Sequence, residues 1–155
     1  MRYFPKRYDE IKSLNSVEKI LSNINGNSDK SYSLTMKRTN KFLRGYTDKN
    51  FFKVISAEVP LGAFCVFEGQ LVQKEYETII KLNSKFHKTF RIILCVWGIL
   101  PVFAIIINCF QSGAIALALL LPIAIFYTII YFLIKFYFKK SYENGIKDLN
   151  RIINK

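Results

Sequence analysis

The longest pattern in the chain is an apolar run, with no charged residue between Arg91 and Lys135. The stretch from Ile92 to Ile134 is about twice the ~20 residues that a helix needs to cross a bilayer. As one straight helix it would measure roughly 65 Å against a hydrocarbon core of about 30 Å, so the pattern predicts a fold-back. The cluster of polar and turn-forming residues in the run is Asn108-Cys109-Phe110-Gln111-Ser112-Gly113. The expectation is a two-helix transmembrane hairpin over 89–138, with spans of about 91–110 and 114–137. Pro101 and Pro122 lie equally far from its turn, roughly 16 Å away at about 1.5 Å per residue. No Asp, Glu, Lys, Arg or His accompanies them in the spans, so they are expected to kink the hairpin rather than frame an ion site.

Before the run the period changes twice. Asn15 or Ser16 is placed to cap a helix whose apolar positions Val17, Ile20, Leu21 and Ile24 follow helical spacing, and Asn25-Gly26-Asn27 stops it. From Tyr32 to Phe86 the pattern is strand-like. Leu34 and Met36 alternate with polar neighbours, Lys41 to Tyr46 forms a second strand, and Phe51 to Ile55 a third. Ala63 to Phe67 is apolar on both faces, which suits a central strand, and Tyr76, Thr78, Ile80 and Leu82 alternate along the last. Residues 1–88 are thus expected to form a cytoplasmic helix on a small antiparallel β-meander. Beyond Lys139 the stripe Tyr142, Ile146, Leu149 and Ile153 predicts a C-terminal cytoplasmic amphipathic helix over 139–155, weakened by Gly145. That helix has three open roles: docking on the sheet, continuing the second span, or pairing with a partner. The predicted fold class is an α+β membrane protein.

Charge sets the orientation. The formal net charge is +12 and both flanks of the apolar run are basic, while its centre is uncharged. The positive-inside rule then places both termini in the cytoplasm. The N-terminus lacks an apolar segment of signal-peptide type ahead of the hairpin. Lys85, Lys88 and Arg91 on entry and Lys135, Lys139 and Lys140 on exit are expected to anchor the spans at the interface, among the aromatic residues Phe86, Phe90, Tyr131, Phe136, Tyr137 and Phe138. Anionic lipid headgroups account for this collar more simply than nucleic acid does.

Candidate chemistry is sparse. Cys65, Cys95 and Cys109 lack the spacing of a zinc site or disulfide framework, and Cys65 sits in an apolar strand. His87 stands between Lys85 and Lys88 as an interfacial polar residue. Glu75 and Glu77 share a strand face, as a solvated face requires. Glycine spacings of phosphate loops are absent. No catalytic residue, metal site or cofactor is therefore expected. Outside the collar, the densest basic cluster is Lys37, Arg38, Lys41 and Arg44, a candidate surface-binding patch whose competing role is charge protection of a sheet edge.

Leu43-Arg44-Gly45, Asn50-Phe51-Phe52-Lys53-Val54, Phe64 through Glu68-Gly69-Gln70-Leu71, and the Trp97-bearing first span together resemble a group of uncharacterised small bacterial two-span membrane proteins. The resemblance covers roughly Leu43 to Ile107, lacks a proline after Phe64 and carries no known activity. It implies that sheet and spans form one module in a bacterial inner membrane. The expected function is that of a non-enzymatic integral membrane protein whose cytoplasmic module binds a protein partner or anionic lipid headgroups. The alternative is an accessory subunit of a membrane complex that pairs, or self-associates, through the hairpin.

Overall fold

The computed structural model describes residues 4–35, 37–112 and 115–155, with side chains left aside at 104, 105, 108–112 and 115–120. The chain opens with strand β1 (Lys6–Ser13), followed by helix α1 (Val17–Asn27) and the short strand β2 (Ser28–Lys30). Strands β3 (Leu43–Asp48), β4 (Phe51–Ser56), β5 (Cys65–Gln73) and β6 (Thr78–Phe86) follow, then helices α2 (Lys88–Ser112) and α3 (Ile115–Ile153). The six strands lie in the order β1-β6-β5-β4-β3-β2. β2 runs parallel to β3, and the other neighbours are antiparallel.

Local chemistry sets the helix ends. The Ser16 hydroxyl accepts the Lys19 N–H at 3.3 Å, capping α1, and Glu18 lies in the first turn where the helix dipole favours a carboxylate. At the far end of α3, Asn15 donates from Nδ2 to the Ile153 carbonyl at 2.8 Å and Asn23 to the Ile152 carbonyl at 3.3 Å. Two carbonyls that the helix cannot satisfy itself are thereby paired.

One face of the sheet is covered. Phe52, Val54, Cys65, Phe67, Leu71, Ile80 and Leu82 point into a core closed by Ile20 and Ile24 of α1 and by Ile134, Phe138, Tyr142, Leu149 and Ile153 of α3. Each fully buried side chain of this kind contributes about 1.5–3 kcal/mol. The α3 positions recur at steps of three and four, so one stripe of the helix meets the sheet. Gly145 allows the close approach, because a Cβ there would stand 2.3 Å from the Phe67 ring. One turn earlier, the buried Ser141 hydroxyl donates to the Gly62 carbonyl at 3.1 Å and accepts the Cys65 N–H at 3.0 Å. Within the sheet, Gly69 lies beneath the Phe52 ring, 2.2 Å from where a Cβ would be.

These observations correct the predicted fold class. The sheet is mixed and six-stranded rather than an antiparallel meander. It gains β1, whose charged residues on both faces hide its period, and β2, which leaves α1 and enters beside β3. Residues 31–35, expected as a strand, are irregular. The C-terminal amphipathic helix is the last part of α3, not a separate element. No proline follows Pro122 in α3, and Gly145 is buried where its small size is needed.

The two-helix transmembrane hairpin is also overturned. Among the described residues one helical stretch, Leu121–Ile153, is long and apolar enough to cross a membrane. The expected turn is helical as far as Ser112, and Gly113 lies outside the described residues. Pro101 and Pro122 lie inside α2 and α3, which continue past them.

Ser141→Ala removes the bridge between α3 and the start of β5. It should lower the unfolding free energy by about 1–3 kcal/mol. Denaturant unfolding of the detergent-purified protein measures this, and a loss below about 0.5 kcal/mol would show that the bridge does not hold the helix.

Candidate functional site

Among the described residues no helix lies across the other face of the sheet, where Ile55 and Val66 meet Leu34 and, from the start of α2, Phe90. Strand register arranges its side chains in rows. One row aligns Tyr46, Lys53, Glu68, Asn83 and Tyr8 across β3, β4, β5, β6 and β1. The next row, nearer α2, aligns Arg44, Ile55, Val66, Lys85 and Lys6. Lys6 and Lys85 are direct cross-strand partners, an arrangement in which like charges destabilise a sheet.

A cleft of about 770 Å³ opens over these rows, where β6 passes into α2. Its cationic wall holds Lys6, Lys53, Lys85, Lys88 and Arg91, and its one carboxylate is Glu68. Tyr32, Tyr46, Phe4 and Phe86 supply an aromatic wall. Glu68 pairs with two of the cations, Lys53 at 3.1 Å and Lys85 at 2.6 Å. Burial pushes its carboxyl up, but the bonds and charges of Lys85 and Lys53 outweigh that and hold it below its ordinary value. The ammonium of Lys6 lies 4.3 Å from the centre of the Tyr8 ring. Lys88 and Arg91 form no ion pair among the described residues. Five cations against one carboxylate leave the cleft strongly positive.

His87 fixes the corner between sheet and helix. Its Nε2–H donates to the Leu34 carbonyl at 2.9 Å, and Nδ1 accepts the Thr89 N–H at 3.2 Å. A carbonyl only accepts and an amide N–H only donates, so these partners select the neutral ring. Burial lowers its pKa, the Leu34 bond opposes that, and the nearby Lys53 charge lowers it further. The ring thus caps the start of α2 and ties the 31–35 segment over the edge of the cleft.

An aromatic chain carries the cleft to the helices. Phe4 stacks on Phe86 at 5.6 Å, Phe86 meets Phe64 at 6.1 Å, and Phe64 stacks on Phe90 at 4.6 Å and on Tyr137 at 5.3 Å. Tyr137 follows Lys135, the first charge after the apolar run, on α3. Aromatic contacts therefore link the wall of the cleft to α3 just beyond the end of the apolar run.

The residues expected from sequence fall in several places. Of the candidate patch, Arg44 is turned to internal use, with an ion pair to Asp29 at 3.1 Å and a side chain only 12% exposed. Lys41 donates to the Gly26 carbonyl at 2.5 Å, while Lys37 and Arg38 are exposed on the segment before β3. The interface set divides. Lys85, Lys88 and Arg91 line the cleft, Lys135 lies 4.4 Å over the Tyr131 ring, Lys139 is 3.9 Å from Glu143, and Lys140 is exposed. Glu75 and Glu77 belong to the turn between β5 and β6, where Glu77 pairs with Lys12 at 3.2 Å. Burial raises the pKa of the Cys65 thiol, which keeps it protonated and unreactive. Among the described residues no three His, Cys, Asp or Glu side chains are grouped to hold a metal. Lys6, Lys53, Glu68 and Tyr46 were not anticipated, because strand register alone brings them together, nor was Tyr32, which the irregular 31–35 segment carries to them. The chain matches no family model, no curated protein and no solved structure.

The pKa directions imply acid sensitivity in two stages. His87 is depressed below 6.5, so its contribution to stability is complete above that pH and is lost as pH falls through the folded-state value. Glu68, depressed below 4.5, contributes fully above that pH and is lost at lower pH in the same way. Melting temperatures followed from about pH 8 to about pH 3 should fall in two phases. His87→Asn should remove the upper phase and Glu68→Gln the lower. A profile unchanged by either substitution would contradict the assignment.

Proposed function

We propose that this is an integral protein of the bacterial inner membrane whose cytoplasmic sheet binds an anionic lipid headgroup in the cleft beside α2. Helix α3 is the anchor. It carries the stretch apolar enough to cross a membrane, and its last turns are fixed to the sheet. β1 and the end of α3 belong to the same packed body, so on this reading the sheet stays beside the end of α3. The basic flanks favour the cytoplasmic side. The role is binding, without a reaction.

The observation that carries this reading is the pairing of Lys6 with Lys85 within a cluster of five cations around Glu68. Such a cluster opposes folding unless an anion offsets it. The aromatic link from its wall to Tyr137, just beyond the apolar run on α3, supports a ligand that includes a lipid phosphate.

Native mass spectrometry of the detergent-purified full chain, titrated with phosphatidylglycerol or phosphatidylcholine, tests the proposal. Preference for the anionic lipid is expected. Replacing both Lys88 and Arg91 with Gln removes two charges worth about 1 kcal/mol each near an anionic surface, so binding should weaken about ten- to thirtyfold. Lys37→Gln with Arg38→Gln should change it little. Loss of binding from the Lys37 and Arg38 pair alone, or no lipid preference, would overturn the reading and favour a protein partner.

A further inference from the structure

Resting on that reading, we infer that the cleft is built for a headgroup carrying a polyhydroxylated ring beside its phosphate, a glycosyl or cyclitol phospholipid. The cations explain only half of the cleft. Opposite them, Tyr32 and Tyr46 lie with ring centres 5.0 Å apart. Tyr32 is 87% exposed, unusual for a large aromatic side chain, yet the chain around it is held in place. The Ser31 N–H donates to the Gly45 carbonyl at 2.9 Å, and the Ser31 hydroxyl donates to the Ser33 carbonyl at 2.7 Å. The Tyr32 ring thus lies exposed against Tyr46 in the wall of the cleft, on a backbone tied to β3.

Strand register sets the spacing between Tyr46 and the charge. Tyr46 is the direct cross-strand neighbour of Lys53, and Lys53 of Glu68. A group lying on the tyrosines therefore has its edge one strand from the ammonium of Lys53. The apolar C–H face of a sugar or cyclitol ring suits an aromatic plane. Its phosphate falls toward Lys53 and Lys85, and its acyl chains run past Lys88 and Arg91 toward the bilayer. A headgroup of the same charge without a ring leaves the tyrosines uncovered.

Dioctanoyl phosphatidylinositol and dioctanoyl phosphatidylglycerol carry the same charge and differ in the ring. Titrated onto the detergent-purified full chain, the inositol lipid should bind about three- to tenfold more tightly, the range expected for one aromatic contact. Tyr32→Ala should abolish that difference by weakening the inositol lipid more than the glycerol lipid, and Tyr32→Phe should retain it. Equal affinities in the native protein, or an equal loss for both lipids in Tyr32→Ala, would overturn the inference and leave anionic headgroup binding intact. Failure of both lipids to bind would instead remove the broader reading. Free inositol 1-phosphate should bind more weakly than the lipid, and equal binding would overturn the lipid-borne form of the ligand.

Discussion

The close approach of α3 to β5 at Gly145, with the Phe67 ring standing where a Cβ would be, sets the position of the other elements. A larger residue there would lift the helix from the sheet, and with it the stripe from Phe138 to Ile153 that closes the core. Ser141 fixes the helix along its axis by bonding to Gly62 and Cys65, and Asn15 and Asn23 hold its last carbonyls. The helix with the stretch long and apolar enough to cross a membrane is therefore also the cover of the sheet. No flexible joint separates the two roles, so the sheet stands at a fixed height and angle relative to α3.

That rigidity gives the cleft its meaning. A loosely tethered basic surface would attract an anionic leaflet in many orientations. Here the aromatic chain from Phe4 through Phe86 and Phe64 to Tyr137 joins the cleft to α3. The charge arrangement is correspondingly uneven. Glu68 pairs with both Lys53 and Lys85 and offsets one of their two charges, while Lys88 and Arg91 at the α2 side have no carboxylate of their own among the described residues. On the proposed reading, an anion would meet Lys88 and Arg91 first and compete with Glu68 afterward.

Several parts of this organisation were legible in the sequence. A cap at Asn15 or Ser16 and the Ile20 and Ile24 stripe identified α1, and of the strand expected over Ala63 to Phe67 the part from Cys65 lies in central β5, whereas Ala63 and Phe64 belong to a short 3-10 helix. Val17, Ile20 and Ile24 show a helical period because one face meets the core. β1 was missed because an edge strand facing solvent, Lys6 to Ser13, carries charge on both faces and loses its alternation. The hairpin was read from hydropathy and a turn-like composition, neither of which shows where helical hydrogen bonding ends. The Asn108 to Ser112 segment looks like a turn by composition, yet it is helical. Gly145 was read as a defect in a helix, where local propensity gives no sign of the Phe67 ring packed against it.

The cleft was the least legible feature, since its residues lie on β1, β3, β4, β5, β6 and α2 and on the segment before β3. Lys88 and Arg91 stood out as neighbours of an apolar run, whereas Lys6 and Lys53 had no local pattern to mark them. Lysine acetylation footprinting of the full chain in nanodiscs of phosphatidylcholine, with and without an anionic phospholipid, tests the central claim most directly. The account predicts that the anionic lipid protects Lys6, Lys53, Lys85 and Lys88 while Lys37 and Lys41 stay as reactive as before. Protection of Lys37 and Lys41 instead, or no protection in the cleft, would contradict it.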